Sequence, residues 1–266
     1  MRAIVWRLLV TAVVTVAALP LAAQESSRDL EPRNSVGIGV EYEDFDQDGF
    51  DPWKLLELQL SHRFGFGSVI ARVNEAERFG DDATQIELDA YPKFRPGTYA
   101  YLNIGRGEKD SFFPDWRYGA EIFQSLPRSY EASLGARHLD FGQSDVTLYT
   151  GSLGKYWGNN WISFRPYVNP ADDGTSVSGG VQYRHYGKTA DDYVGFGVSY
   201  GEAPEENVTL QEIDRLQSAS ARVMTKRRLN SRGLIFNGTL GWRELEFRAG
   251  SERSSYYISA GLQQRF

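Results

Sequence analysis

The sequence predicts an all-β fold: a transmembrane antiparallel up-and-down β-barrel of about 14 strands, with 12 as the alternative count. Three observations predict it. Almost every stretch from Ser35 onward alternates apolar and polar residues, which is the period of a strand with two different faces. The connections between these stretches alternate between tight turns and longer acidic loops. The last stretch, SSYYISAGLQQRF, is itself a strand pattern and reaches an aromatic residue at Phe266.

Residues 1–23 precede this pattern and predict a secretory signal peptide. Arg2 and Arg7 form a basic start, an apolar stretch covers 8–19, and small residues lead to a cleavage site near Ala23. The alternative is a membrane anchor, but the apolar stretch is shorter than the ~20 residues of a spanning helix. We therefore expect this segment to direct export and then to be removed.

The exported part divides into a short periplasmic tail, residues 24–34, and a barrel, residues 35–266. The sequence has no cysteine, which excludes a disulfide-stapled domain and a lipoprotein with an acylated cysteine. Its net charge is −6 before the two signal-peptide arginines are removed. An acidic exported chain gives no support for nucleic-acid binding, because a basic face supplies most of that affinity.

The strands follow one another at regular spacing along the chain. In the first, Val36, Ile38 and Val40 alternate with glycine and glutamate. The segment TLQEIDRL is equally compatible with a loop helix or a strand, which leaves the count of 12 open. The predicted strands begin near Ser35, Lys54, Ser68, Thr84, Thr98, Trp116, Ser129, Asp145, Asn160, Thr175, Asp192, Ser218, Gly233 and Ser255.

Alternation alone does not tell which face is inside, since a soluble sandwich alternates too. Here the polar face carries large charged groups in strand after strand, and the apolar face is rich in alanine and valine with aromatic residues near strand ends. That distribution is typical of a lipid-facing band around a polar lumen. A bilayer admits a sheet only as a closed barrel, since an open edge would leave backbone groups unpaired in hydrocarbon.

Phe266 fits this architecture because the last strand of a closed barrel pairs with the first. The register places Phe266, Leu262 and Ile258 on the lipid face. A terminal aromatic residue on such a strand resembles the signal that the outer-membrane barrel-assembly machinery recognises. The alternative interpretation, an interfacial anchor, is compatible with it.

The candidate binding residues are polar side chains predicted to project into one region of the lumen. Tyrosine rings with arginine and glutamate hydrogen-bonding groups suit sugar binding, but such side chains also pair with one another to fill a narrow barrel. A glycosidase pair of Glu121 and Glu131 rests on residue type alone. The candidates are Glu121, Glu131, Arg137, Arg165, Tyr167 and Arg184.

Hydrolytic and metal chemistry have weaker signals. The three histidines, His62, His138 and His185, fall on the apolar face, and none shares a motif with a serine and an acid. We expect no cofactor and no metal site.

A weak calcium-loop candidate is formed by Asp44, Asp46 and Asp48 in DFDQDG. Its twelfth position, where a bidentate glutamate closes a calcium loop, is Leu55. An acidic solvated turn is the favoured interpretation.

Three segments in the middle of the chain resemble a known family: SLPRSYEASLGARHLDF, VTLYTGSLGKYWGNNWISFRPYV and VQYRHYGKTADDYVGFGVSYGEAPEE. They are similar to the YaiO family of outer-membrane β-barrel proteins, most specifically in GSLGKYWGNNW. The resemblance covers 116–206 well and implies a barrel in the outer membrane of a Gram-negative bacterium. It carries over no catalytic residue. The location of some members near polysaccharide-handling proteins implies a role in glycan traffic.

The function expected from these features is a porin-like pore or export component with a charged lumen, for saccharides or exopolysaccharide, and not an enzyme. The alternatives are an outer-membrane enzyme acting on lipid or glycan and a plugged structural or surface-interaction barrel. Expected partners are outer-membrane lipid and lipopolysaccharide, the barrel-assembly machinery and a saccharide, with no nucleic acid.

Overall fold

In a computed structural model, the chain forms a closed barrel of 14 antiparallel strands in which each strand pairs with its neighbours in sequence and β1 pairs with β14. Described are residues 32–47, 50–78, 80–171, 174–202, 215–247 and 251–266. The strands are β1 (Asn34–Phe45), β2 (Trp53–Phe64), β3 (Gly67–Arg78), β4 (Asp81–Arg95), β5 (Thr98–Gly107), β6 (Trp116–Leu126), β7 (Tyr130–Asp140), β8 (Asp145–Trp157), β9 (Asn160–Ala171), β10 (Gly174–Tyr186), β11 (Tyr193–Gly201), β12 (Arg215–Arg228), β13 (Leu234–Phe247) and β14 (Glu252–Arg265).

The predicted up-and-down barrel and its count of 14 strands are confirmed, and every strand begins within three residues of its predicted start. Period-two alternation was sufficient to locate the strands, because each strand has one face toward lipid and one toward the lumen. The TLQEIDRL segment lies outside the described residues up to 214, and β12 begins at Arg215. The predicted signal peptide, residues 1–23, also lies outside them.

The outer surface of the barrel is apolar, as the sequence predicted. Leu134 and Leu60 are 71% and 62% exposed at the middle of their strands, while Asp89 and Glu121 are buried inside. Large apolar side chains exposed in this way suit contact with acyl chains rather than with water. No helix in the described ranges combines the length and the apolar character that crossing a bilayer requires.

Exposed aromatic residues gather near both ends of the strands. Such rings are amphipathic and sit at the level of the lipid headgroups. One group is Phe64, Phe66, Phe94, Tyr130, Trp157 and Phe266, and the other is Tyr42, Tyr118, Tyr149, Tyr200 and Tyr256.

The two rims of the barrel differ in their connections. The rim that holds Asn34 and Phe266, here the terminus rim, carries tight turns such as 65–66 and 158–159. The opposite rim, here the loop rim, carries the longer connections, including 108–115. The even strand number places both termini on one side, which we predict to be the periplasmic side.

The seam between β1 and β14 closes the sheet. The backbone N–H of Asn34 donates to the Phe266 carbonyl and that of Phe266 donates to the Asn34 carbonyl, both at 3.0 Å. The Gln263 side-chain amide donates to Ser35 Oγ at 2.7 Å on the inner face. The predicted pairing of the last strand with the first is therefore present along the whole of β1.

Candidate functional site

A cavity of about 830 Å³ lies in the lumen and is enclosed by inward side chains of most strands. Of the residues predicted from the sequence, Glu121, Arg137, Arg165 and Tyr167 line it. Glu131 and Arg184 do not. Alternation predicts which face of a strand each side chain lies on, but not its position along the barrel axis. The six predicted residues therefore include some that lie at different levels of the lumen.

Glu121 is the centre of the densest contact among them. Arg137 Nη2 donates to Glu121 Oε2 at 2.7 Å, and Arg165 Nη1 lies 2.9 Å from Glu121 Oε1. Arg137 also donates to the Ala120 and Ala136 carbonyls at 3.3 and 3.1 Å. Glu121 and Arg137 are only 2% and 3% exposed, so loss of either side chain would leave the other buried without its partner. We call Glu121, Arg137 and Arg165 the central ion cluster.

Two glycines make room for the central ion cluster. A Cβ on Gly135 of β7 would lie 2.5 Å from Glu121 Cβ and 2.5 Å from the Ala120 carbonyl oxygen. A Cβ on Gly119 of β6 would lie 2.9 Å from Arg137 Cδ. Real Cβ atoms do not approach so closely, so glycine at these positions lets the carboxylate and guanidinium lie flat against the strand beside them.

A second ion cluster lies beside the first and was not singled out from the sequence. Arg72 Nη2 lies 2.5 Å from Asp89 Oδ2 and 3.4 Å from Glu87 Oε2. The Asn103 amide donates to Asp89 Oδ1 at 2.6 Å and to Glu87 Oε2 at 3.1 Å, and the Asn74 amide donates to Glu87 Oε1 at 3.0 Å. The available signal was the spacing of Glu87 and Asp89, two residues apart on the polar face of β4.

The two clusters together form one side of the cavity, over β3–β9, which we call the ion-pair wall. Its three buried carboxylates, Glu87, Asp89 and Glu121, each contact an arginine. Buried charges of opposite sign that are also hydrogen-bonded hold one another in fixed positions. The three carboxylates of this wall are therefore held rigidly and are compensated by arginine.

The opposite side of the cavity, over β12–β14, carries a different set of groups, and we call it the hydroxyl wall. Its arginines are Arg222 and Arg243, and the Tyr257 phenol is a neighbour of Arg222. Arg243 Nη1 lies 3.6 Å from Glu43 Oε1, which belongs to β1. The other polar groups that this side turns toward the cavity are hydroxyls, from Ser218, Ser220, Thr239 and Ser259.

At the loop rim the lumen is occupied by arginine packed on aromatic rings. The buried Arg253 guanidinium lies over Phe45 and Trp53, with 5.1 and 5.3 Å from Cζ to the ring centroids. The Arg78 guanidinium also lies over aromatic rings here, with 3.9 Å from Cζ to the Trp53 centroid and 5.7 Å to the Phe112 centroid. Such cation–π contacts gain strength where water is excluded.

The connection between β5 and β6, residues 108–115, folds into the lumen at this rim. Phe112 and Phe113 are buried and pack on Ala76 and Ala83. The Gly107 backbone N–H donates to the Pro114 carbonyl at 3.0 Å. The sequence identified this segment as a loop but gave no sign that its two phenylalanines turn inward.

At the terminus rim the connection between β10 and β11 also turns inward and carries a third ion cluster. Asp191 lies 2.6 Å from Arg265 of β14, 2.8 Å from Arg228 and 3.1 Å from Lys226, both of β12. Burial alone would raise the pKa of Asp191, but the hydrogen bonds from Arg228, Arg265 and Lys226 lower it to about 2. The turn is therefore tied by charge to strands that it does not adjoin in sequence.

The two remaining candidates belong to local contacts. The Tyr99 hydroxyl is a neighbour of the Glu131 carboxylate, and the Tyr99 ring stacks on Phe123 with 4.7 Å between centroids. The Arg184 guanidinium lies over Trp161 and Tyr193, 4.9 and 4.8 Å from their centroids. Tyr99 and Phe123 line the cavity that the central ion cluster faces, whereas Glu131 and Arg184 do not.

Two of the three histidines and the acidic turn occupy exposed positions, and His138 is half-buried. His62 and His185 are exposed and hydrogen-bond to asparagine side chains, and His138 contacts Thr147. In the acidic turn, the weak calcium-loop candidate, Asp46 Oδ1 accepts a hydrogen bond from the Ser254 N–H, and Asp48 lies outside the described residues. Within those residues, no three His, Cys, Asp or Glu side chains come together as metal ligands.

A closed barrel with an apolar outer surface, aromatic residues near both rims and a charged lumen defines an outer-membrane β-barrel protein. The profile of the YaiO membrane beta barrel domain matches residues 33–206, and the chain belongs to that family. The predicted family and outer-membrane location are thereby confirmed. No curated protein sequence matches the chain significantly.

Solved structures with the same fold have low sequence identity. The CymD monoaromatic hydrocarbon channel is 8% identical with a TM-score of 0.60, over 89% of each chain. A bacterial polysaccharide outer membrane secretin is 10% identical with a TM-score of 0.56, over 90% of this chain and 100% of that one. Outer membrane protein Omp33 of Acinetobacter baumannii is 13% identical with a TM-score of 0.53, again over 90% and 100%. At these identities the likeness concerns the fold.

Proposed function

We propose that this barrel is an outer-membrane channel that passes a polar solute, a saccharide, through its charged lumen without chemical change. The observation that carries the proposal is the cavity of about 830 Å³, lined by guanidinium, carboxylate, hydroxyl and tyrosine groups. Tyrosine rings offer a flat apolar surface to the face of a sugar, and the charged groups hydrogen-bond its hydroxyls. Tyr91, Tyr101 and Tyr167 all reach this cavity.

The ion-pair wall supports passage rather than reaction. Glu121 is held in place by ion pairs with Arg137 and Arg165. Glu131, the other member of the suggested glycosidase pair, does not line the cavity. Fixed, compensated charges can exchange hydrogen bonds with a moving solute at little cost in reorganisation.

The test is single-channel recording with purified protein in planar bilayers. We expect discrete conductance steps, and a change in step size when Arg165 of the cavity lining is replaced by alanine. His185→Ala, on the outer face, is the control and leaves the steps unchanged. Persistent silence from protein that shows the folded band on an unboiled detergent gel would overturn the channel.

A second candidate, a plugged structural barrel, is favoured by the loop rim. Phe112 and Phe113 are buried inside it, and Arg253 is packed on aromatic rings beside them. If this layer closes the lumen, Phe113→Ala should open a conductance that the native protein lacks. If the native protein already conducts and Phe113→Ala changes little, this candidate fails. Release of fatty acid or reducing sugar from outer-membrane extracts would instead support an enzyme.

The proposed partners follow from the outer surface. The exposed apolar band would contact outer-membrane lipid, with lipopolysaccharide at the external rim, and Phe266 on its outer end would be read by the barrel-assembly machinery. Phe266→Ala should lower the amount of assembled barrel in cells while leaving refolding in detergent intact. Equal loss in both settings would assign Phe266 to stability alone. Loss of polysaccharide secretion in a deletion strain would identify a saccharide export role.

A further inference from the structure

The sign of the charge in the cavity differs from that of the protein as a whole. The chain has a net charge of −6. Within the part of the chain that the structure describes, the cavity is lined by seven arginines and five carboxylates, an excess of two positive charges. The charge of the whole barrel therefore does not describe what a solute meets inside it. A wall of low dielectric strengthens the effect of such an excess.

The two walls differ in how their arginines are placed relative to carboxylates. Among the described residues, the ion-pair wall, over β3–β9, contributes five of the lining arginines and three carboxylates, the hydroxyl wall contributes two arginines and no carboxylate, and β1 and β2 contribute the other two carboxylates. On the ion-pair wall, the three buried carboxylates lie against Arg72, Arg137 and Arg165. On the hydroxyl wall, the neighbour of the Arg222 guanidinium is a phenol, Tyr257, and the half-buried Arg222 side chain lines the cavity. A phenol does not neutralise the guanidinium, since it is uncharged at neutral pH.

The groups around Arg222 suit a ligand with both carboxylate and hydroxyl groups. A guanidinium presents its N–H donors in a plane that matches the two oxygens of a carboxylate. Ser218 and Ser220 lie on the same face of β12 as Arg222, and Thr239 and Ser259 lie on β13 and β14. Their hydroxyls both donate and accept hydrogen bonds, as sugar hydroxyls require.

From this charge and this lining we infer that the cavity binds a carboxylated saccharide, with Arg222 of the hydroxyl wall pairing with its carboxylate. The inference rests on the proposed function and adds the ligand class to it. A neutral sugar of the same shape would leave the guanidinium without an anionic partner and would bind more weakly. Arg222 is thus the residue that selects for charge, and the hydroxyls around it accommodate the sugar ring.

The first test is isothermal titration calorimetry on the full folded barrel in detergent, with trigalacturonate and its trimethyl ester as probes. The two probes share the same sugar chain, and the ester replaces each carboxylate by an uncharged methyl ester. We expect trigalacturonate to bind and the ester to bind at least about tenfold more weakly, since a hydrogen bond to a charged group contributes about one such factor or more. Arg222→Gln should remove this preference and Arg222→Lys should keep part of it. Equal binding of acid and ester, or binding of neither, would overturn the inference.

A matched control lies on the same strand. Arg227→Gln removes one positive charge from β12 at an exposed position on the opposite face from Arg222. It should leave trigalacturonate binding unchanged, which separates a local pairing from a change in total charge. If Arg227→Gln weakens binding as much as Arg222→Gln, the site assignment is wrong.

The second test separates this inference from the proposed function. In planar bilayers with a KCl gradient, the reversal potential should indicate anion selectivity that falls in Arg222→Gln and persists in Arg227→Gln. A conducting, cation-selective barrel would retain the channel and overturn the anionic ligand. Silent bilayers with selective trigalacturonate binding would overturn the channel and retain the site.

Discussion

The ion-pair wall and the hydroxyl wall belong to one barrel but distribute their charges differently. In the ion-pair wall, arginines and carboxylates from neighbouring strands meet at mid-depth, as Arg137 and Glu121 do at 2.7 Å. In the hydroxyl wall, Arg222 at mid-depth lies beside a phenol, and the dense ion pairs lie at the terminus rim, where Asp191 of a turn binds Arg265. Within the described part of the chain, the buried carboxylates of the ion-pair wall are all paired with arginine, whereas the hydroxyl wall contributes no carboxylate to the cavity lining.

The largest difference between the walls is expected when one charged side chain is removed from each and the free energies of unfolding are compared. Glu121→Ala leaves Arg137 buried without its carboxylate and should lower the free energy of unfolding by about 3–5 kcal/mol. Arg222→Ala removes a half-buried group with a neutral partner and should cost about 1 kcal/mol. Urea titration of tryptophan fluorescence in lipid vesicles measures both. Equal losses would show that the two walls do not differ in this way.

A smaller effect is expected from added volume. Gly135→Ala in the ion-pair wall would place its methyl against the Ala120 carbonyl and Glu121 Cβ, both at 2.5 Å, and should cost about 3 kcal/mol because backbone must shift. Gly241→Ala in the hydroxyl wall meets the far end of the Tyr257 ring, which can rotate, and should cost about 1 kcal/mol. The same titration compares them. A larger loss for Gly241→Ala would mean that Tyr257 is the more tightly held group.

The smallest effect concerns the rim. Asp191→Asn should lower stability at neutral pH by about 1 kcal/mol, because the ion pairs are partly screened by solvent. In the native protein the pKa of Asp191 is lowered to about 2 from an ordinary 3.8, so its contribution is complete above about pH 4 and is lost as the pH falls toward 2. The variant should show a flatter decline over that window. If the stability of the native protein and of the variant falls equally over this pH range, Asp191 does not contribute to the pH dependence.

The sequence was sufficient for the architecture because two alternating faces specify which side chains enter the lumen. It was not sufficient for the site, because the contacts between inward residues depend on how strands are staggered around the barrel. Glu121 and Arg165 meet although they lie 44 residues apart on β6 and β9. Arg72 with Asp89, and the inward turns that carry Asp191 and Phe113, depend in the same way on three-dimensional closure.

The antiparallel seam of β1 with β14 restricts how such a fold can change in size over evolution. Ser35 and Gln263, 228 residues apart in sequence, are joined across it. Gain or loss of a single strand in an up-and-down sheet would make the two seam strands run in the same direction and move one terminus across the membrane. Duplication or deletion of a whole hairpin keeps the seam strands antiparallel and both termini on one side of the membrane. Related barrels with this seam should therefore differ by even numbers of strands.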